Sequence, residues 1–244
     1  MILDNMKRII LTLMLITGLV QGATAQADST TLTPQQRNLV SVAATTAKGD
    51  LPKLAVQLNK ALDAGLTVNQ LKEAIVHLYA YCGFPRSIRG LQTLMTVLED
   101  RKAKGITDKW GNPASPITDN RSKYDRGRDI LAKLSGTSAS SPKAAYAVFS
   151  PEIEVFLKEH LFADLFERDV LNYTERELVT ISVLSSIGGV EPMLKSHLGI
   201  CLHIGLTPMQ LQDFVKVIAG TIGEEDAKAT EEVLTALTNT PQTK

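Results

Sequence analysis

The sequence contains few of the residues on which several kinds of protein chemistry depend. Only two of its 244 residues are cysteine, Cys82 and Cys201, and they form neither a C-x-x-C motif nor the spacing of a zinc site. Aromatic residues make up 5% of the chain, whereas Ala, Leu, Thr and Val are abundant. This composition favours close-packed helices over a β-sandwich, so we predict an all-α protein without a metal site.

The chain also has no excess of charge of one sign. Its 26 basic and 26 acidic side chains give a formal net charge of zero, and no large basic patch is evident. Nucleic acid is therefore not expected as a partner. Apolar residues make up 44% of the chain, which is enough to form the core of one large domain or two small ones.

The N-terminus has the pattern of a targeting segment. Lys7 and Arg8 precede an apolar run, Ile9–Val20, that is too short to span a bilayer, and small residues of the sequence ATA follow it. We predict a signal peptide over residues 1–25, cleavage before Gln26, and an exported, periplasmic protein with no stable membrane insertion after cleavage. The alternative interpretation of the same run is an N-terminal membrane anchor or a buried helix.

The chain carries an internal repeat. The segment ALDAGLTVNQLKEAIVHLYAYCG, residues 61–83, aligns at an offset of 140 with CLHIGLTPMQLQDFVKVIAGTIG, residues 201–223. Upstream, at an offset of 139, NLVSVAATTAKG from Asn38 aligns with ELVTISVLSSIG from Glu177. Such a long period indicates a duplicated helical domain rather than a solenoid.

We therefore divide the mature chain into three parts. The first repeat spans residues 26–103, a linker with one helix spans 104–149, and the second repeat spans 150–244. The linker helix is expected to end at Gly136, and the helix after the linker is expected to begin with a Ser150 cap and Pro151.

The sequence GLTxxQL, shared by both repeats, predicts a corner between two helices. Its glycine suits the left-handed residue that ends one helix, its threonine suits the N-cap of the next, and its glutamine completes a capping box. The residues concerned are Gly65, Thr67 and Gln70 in the first repeat and Gly205, Thr207 and Gln210 in the second. The apolar periodicity predicts helices over residues 34–48, 52–64, 67–82, 85–103, 174–187, 191–204, 207–221 and 224–238.

Two segments resemble proteins of the carboxymuconolactone decarboxylase family. They are HLYAYCGFPRSIRGLQTL, residues 77–94, and the stretch from LFADLFERD to GLTPMQLQD, residues 161–213. The resemblance covers about residues 35–240 and implies a duplicated, all-α, alkylhydroperoxidase D-like fold. It also implies assembly into trimers or hexamers, and with two repeats in each chain we expect a homotrimer.

The resemblance further implies candidate site residues. His197 matches the family's histidine, for which general acid/base catalysis is the functional interpretation, and Glu177 is placed to orient it. The alternatives are a hydrogen-bonded core histidine and a carboxylate that favours a helix N-terminus. Gln57 and Ala61 occupy the positions of His197 and Cys201 in the first repeat, so neither the histidine nor the cysteine is needed for this helix to form, and Asn38 stands where Glu177 does.

Three further residues are candidates for substrate binding. Arg176 either pairs with a substrate carboxylate or faces solvent. Tyr81 and Cys82 lie in a segment that lines the pocket in the resembling family, although a lone cysteine at a helix end is more often a small core residue. Because the first repeat carries this segment and the second carries Glu177 and His197, we expect one working site, completed between the repeats or between subunits.

The resemblance implies an enzyme that acts on a small carboxylated lactone or a related acid. No cofactor is needed if the lactone carbonyl itself accepts the electrons. A peroxidase of the alkylhydroperoxidase or peroxiredoxin type is the first alternative, although this sequence lacks the C-x-x-C motif that such chemistry uses. A non-catalytic periplasmic binding module is the second, because each repeat lacks half of the motif residues. Convergence of His197, Glu177 and the YAYCG segment would favour an enzyme.

Overall fold

A computed structural model of the protein describes residues 30–239, and the predicted signal peptide and its cut before Gln26 lie outside this range. Within it the chain forms eleven α-helices and one π-helical segment, and no strand. The all-α prediction is therefore confirmed. None of the described helices is both long enough and apolar enough to cross a membrane.

The helices follow the predicted order, with one short addition, α6, before the second repeat. The α-helices are α1 (Pro34–Lys48), α2 (Leu51–Asp63), α3 (Val68–His77), α4 (Tyr79–Ala103), α5 (Lys123–Ser135), α6 (Ala145–Phe149), α7 (Pro151–Phe156), α8 (Tyr173–Ile187), α9 (Glu191–His203), α10 (Pro208–Ile222) and α11 (Glu224–Thr238), and the π-helical segment is Leu157–Leu165. Helices α1–α4 belong to the first repeat and α8–α11 to the second.

The GLT corners form as the sequence predicts. Thr67 and Thr207 cap α3 and α10, and in both cases the glutamine three residues later completes a capping box. Gly65 and Gly205 adopt φ values of 90° and 106°, a region that side chains with a Cβ rarely occupy. Each corner therefore sets the angle between two consecutive helices of its repeat.

Helix α4 is bent at its fifth residue. Gly83 has a φ of 83° and a ψ of 160°, which ends one short helical turn and starts a second helix that contains Pro85. The sequence predicts this break, because glycine can end a helix and proline can begin one. The bend leaves Tyr81 and Cys82 at the end of the short first part.

The two repeats share their interior rather than forming separate cores. Helix α1 packs against α8, its counterpart in the second repeat. The first-repeat core cluster contains Leu171, Val179 and Val183, which lie outside the first repeat, and the second-repeat core cluster contains Val40 and Ala44 from α1. Each repeat thus buries apolar surface of the other.

The segment between the repeats departs from the prediction in two ways. The predicted helix after the linker is α-helical only over α7 and continues as the π-helical segment. The Ser150 hydroxyl donates to the Glu152 carboxylate instead of capping the helix, which corrects the predicted cap. The linker helix α5 does end at Gly136 as predicted. A Cβ added to Gly127 of α5 would lie 1.8 Å from the Lys158 carbonyl oxygen, so this glycine allows the close approach of the π-helical segment.

Candidate active site

Two consecutive helices of the second repeat bring His197 and Glu177 together. The Nδ1 atom of His197 on α9 lies 2.8 Å from Oε2 of Glu177 on α8. Glu177 is fully buried, whereas the His197 side chain keeps 13% of its surface exposed. Within residues 30–239 the other carboxylate oxygen of Glu177 has no hydrogen-bond partner. The carboxylate therefore fixes the imidazole ring and leaves Nε2 as the nitrogen available to a ligand.

The first repeat supplies an aromatic wall to this pair. The Tyr81 ring meets the His197 ring edge to face, with centroids 5.8 Å apart. Burial raises the pKa of the Tyr81 phenol, and the Glu177 carboxylate raises it further, so the hydroxyl stays protonated. The predicted convergence of His197, Glu177 and the YAYCG segment is therefore present within a single chain.

Arg176 is placed differently from the sequence-based expectation. Its side chain is fully buried, and its guanidinium donates to the Glu73 carboxylate at 2.7 Å and to the Arg168 carbonyl at 2.6 Å. Arg168 also binds Glu73, through both carboxylate oxygens. These bonds hold α3 against the start of α8. This placement corrects the expectation that Arg176 pairs with a substrate carboxylate or faces solvent, because a ligand would have to displace Glu73.

The internal repeat contains a second copy of this ion pair. Arg37 occupies the position in α1 that Arg176 occupies in α8, and Asp213 in α10 corresponds to Glu73. Arg37 binds Asp213 just as Arg176 binds Glu73. Since this copy lacks the His197 and Glu177 equivalents, the ion pair belongs to the fold and not to the chemistry of the site.

The equivalent of the His197–Glu177 pair is not formed in the first repeat. Asn38 stands in place of Glu177, and its amide donates to the Pro34 carbonyl of its own helix at 2.8 Å. Gln57 stands in place of His197. Within residues 30–239 the second repeat therefore holds a His–Glu pair, and the first repeat holds Gln57 and Asn38 at the equivalent positions.

The two thiols occupy different parts of the core. Cys201 is fully buried in the second-repeat core cluster, and Cys82 is half-buried against the first-repeat core cluster, with its thiol donating to the Leu78 carbonyl. Neither forms a disulfide. Burial raises the pKa of the Cys82 thiol to about 11, although the Arg86 guanidinium lowers it, and burial raises that of Cys201 as well. Both thiols are thus protonated and poor nucleophiles at neutral pH.

No group of three or more His, Cys, Asp or Glu side chains is arranged to hold a metal ion in the described part of the chain.

The comparison with known families agrees with this architecture. The sequence matches the model of the carboxymuconolactone decarboxylase family over residues 15–94 and again over residues 151–236. The chain belongs to the carboxymuconolactone decarboxylase family. A search among curated proteins finds no significant match.

The two family matches correspond to the two repeats, and the segment between them contains the linker helix α5. This decarboxylase-family chain thus carries two copies of the family domain, as the repeat predicts. The site between them draws Tyr81 from the first copy and His197 and Glu177 from the second.

A polar cluster that the sequence did not predict lies beside the pair. In this cluster the His77 imidazole contacts Arg176 through Nδ1, at 3.3 Å, and the Thr180 hydroxyl through Nε2, at 3.0 Å. Burial lowers the pKa of His77 well below its usual range, and the charges of Arg176 and His197 lower it further. Two features of the sequence could have revealed the cluster. Glu73 and His77 lie four residues apart on one face of α3, and Asp213 is an acidic residue at the position equivalent to Glu73 in the second repeat.

Proposed function

We propose that the protein is a carboxymuconolactone decarboxylase-like enzyme that acts on a small carboxylated lactone or a related acid. One observation carries the proposal: the partly exposed His197 is held at 2.8 Å by the fully buried carboxylate of Glu177. The first repeat forms the equivalent helices without either group, so the fold itself does not require the pair.

The chemistry of decarboxylation assigns a role to each member of the pair. Breaking the bond between the substrate carbon and its carboxylate releases CO2 and leaves an electron pair, which the conjugated lactone carbonyl accepts. The protonated imidazole of His197 then delivers a proton to the carbon, and solvent protonates His197 again. Glu177 keeps the ring oriented and balances the charge of the imidazolium. The Tyr81 ring shields one side of the imidazole from water.

The experiment measures CO2 release from a panel of carboxylated γ-lactones by the wild-type protein and by Glu177→Gln. We expect release in the wild type and a loss of most of it in the variant, because glutamine does not favour the imidazolium. A wild-type protein that releases no CO2 from any of these lactones would contradict the proposal.

A thiol peroxidase is the rival within the family, and Cys82→Ser tests it. Because the Cys82 thiol is protonated at neutral pH and Cys201 is enclosed in a different cluster, we expect this substitution to leave the consumption of alkyl hydroperoxides at the background rate. The assay follows hydroperoxide loss with dithiothreitol as reductant. Rapid consumption by the wild type that Cys82→Ser abolishes would establish the peroxidase instead.

The non-catalytic binding module has less support. It would not require His197, Glu177 and Tyr81 to converge, yet these side chains do so from three helices. The first repeat lacks this convergence, since the Asn38 amide donates to a carbonyl of its own helix.

The proposal includes assembly as a homotrimer. The chain leaves a group of large apolar side chains uncovered around α6 and α7, among them Phe149, which is 92% exposed, and Tyr146, Val148, Ile153 and Phe156. Large exposed apolar patches mark protein interaction sites, and we assign these side chains to the contact between subunits. Multi-angle light scattering at micromolar concentration is expected to give three times the mass of one chain, and Phe149→Ser together with Phe156→Ser is expected to lower it. A stable wild-type monomer would exclude the trimer.

A further inference from the structure

A cleft opens beside the candidate active site where three helix ends meet. It lies between the end of α1, the bend of α4 and the end of α8, and its volume is about 460 Å³. The cleft is open to solvent, and it has room for a small organic acid. The lining residues are Ala47, Lys48, Tyr81, Cys82, Arg86, Ser186 and Ile187.

Arg86 places its guanidinium over a glycine at this cleft. A Cβ added to Gly49 would lie 1.5 Å from a terminal nitrogen of Arg86, so the guanidinium occupies the space of the missing side chain. Gly49 ends α1 with a φ of 73°, and its N–H bonds the carbonyls of Thr45 and Thr46. Lys48 also lies in the last turn of α1, so the negative end of this helix already has a cation beside it.

The repeat shows why the charge of Arg86 is left uncompensated. Asp226 in α11 is the repeat equivalent of Arg86. Its carboxylate binds the Lys48 ammonium group at 2.8 Å. The repeat equivalent of Lys48 is Ile187, which cannot pair with Arg86. Arg86 accordingly forms no ion pair with any residue from 30 to 239. Of the two equivalent pairs of positions, one therefore forms the Lys48–Asp226 salt bridge. The other pairs Ile187 with Arg86, which leaves the Arg86 cation unpaired at the cleft.

Tyr81 connects the cleft with the acid/base pair. Tyr81 lines the cleft, and its ring contacts the His197 ring, with centroids 5.8 Å apart. Arg86 acts electrostatically on the thiol of Cys82, the residue next to Tyr81. A ligand in the cleft thus meets the Arg86 cation and touches Tyr81, the cleft residue that contacts His197, although His197 itself does not line the cleft.

We propose that Arg86 binds the carboxylate of a small organic acid in this cleft, in the role that the sequence suggested for Arg176. The guanidinium presents parallel N–H donors that match the two oxygens of a carboxylate, and this geometry makes arginine the preferred partner of such groups. Only the identification of this acid as the lactone substrate rests on the proposed function. The cation and the cleft exist independently of the reaction.

The experiment compares Arg86→Gln with Arg89→Gln. Both variants remove one exposed positive charge from α4, but Arg89 lies outside the cleft and binds Gln92 at 2.6 Å. Calorimetry measures the affinity for a carboxylated γ-lactone and for its methyl ester. We expect Arg86→Gln to weaken binding of the acid roughly 10- to 100-fold, as is typical when a hydrogen bond to a charged group is lost, and Arg89→Gln to leave it unchanged. The ester should bind the wild type and Arg86→Gln equally.

The outcomes separate this inference from the proposed function. Equal affinities of Arg86→Gln and Arg89→Gln for the acid, or no binding of the acid to the wild type, would overturn the inference, even if CO2 release depends on His197. Arg86-dependent binding of the acid without CO2 release would support the inference and refute the decarboxylase. Melting temperatures of both variants close to that of the wild type would show that the comparison concerns binding and not folding, and Arg86→Lys is expected to restore part of the affinity.

Discussion

Exchange of His197 for glutamine is expected to lower the rate of CO2 release by roughly 10²- to 10⁴-fold, the usual contribution of general acid–base catalysis. An amide cannot take up and return a proton near neutral pH, whereas an imidazole can. The fold should tolerate the change, since Gln57 occupies the equivalent position in α2 and that helix forms with a glutamine there. We expect the free energy of unfolding to change by no more than about 1 kcal/mol. Steady-state turnover and the melting temperature measure the two effects.

The matched control is Gln57→His, which introduces an imidazole at the same place in the first repeat. We expect it to leave turnover almost unchanged, because Asn38 is no carboxylate and its amide is bound to its own helix. If His197→Gln unfolds the protein, His197 is a core residue and the catalytic role is wrong. If it changes neither stability nor turnover, the chemistry lies elsewhere, and the segment around Tyr81 and Cys82 would be the next place to examine.

Most of the fold could be predicted because its signals are local. A threonine and a glutamine three residues apart form a capping box wherever a helix follows, so the corners at Thr67 and Thr207 are readable from the sequence. Gly83 followed by Pro85 likewise predicts the bend of α4. The π-helical segment has no comparable local signal, because it depends on the packing of α5 against it at Gly127.

The site was predictable only in part, and the two arginines show why. The pair of His197 and Glu177 follows from their positions on consecutive antiparallel helices and from the family resemblance. The role of Arg176 depends on which helix packs over it. That helix is α3, which belongs to the other repeat and lies about a hundred residues earlier in the chain. Arg86 gave no signal by itself, since its free charge becomes visible only when the repeat positions are compared in three dimensions.

Loss of the Glu73 carboxylate is expected to destabilise the fold more than any other single change considered for this chain. Glu73 accepts hydrogen bonds from Arg168 and Arg176, and Arg176 is fully buried. Glu73→Gln keeps the shape but leaves a buried guanidinium without a counter-charge, beside a His77 imidazole that is itself held neutral. Removing one partner of a buried ion pair typically costs about 3–5 kcal/mol, and we expect a loss of that size in urea unfolding.

The repeat again provides the control, Asp213→Asn. This residue binds Arg37, whose side chain is 42% exposed and can turn into water when the carboxylate is removed. Asparagine also retains an oxygen to accept the Leu32 N–H, which Asp213 accepts at 2.9 Å. The expected loss is therefore about 1 kcal/mol or less, as for other partly exposed pairs. Equal losses in the two variants would show that burial of the arginine does not determine the effect.

The pH dependence of stability gives an independent check on Glu73. Burial raises the pKa of its carboxyl group, but the hydrogen bonds and charges of Arg168 and Arg176 outweigh burial, so the pKa in the folded protein lies below its usual value. The carboxylate therefore contributes its full stabilisation above the unfolded pKa, about 4.3, and this contribution is lost as the pH falls through the folded value. Urea unfolding between pH 7 and pH 3 should show a smaller loss of stability on acidification in Glu73→Gln than in the wild type. Curves that differ by a constant at every pH would mean that the carboxylate is not the titrating group.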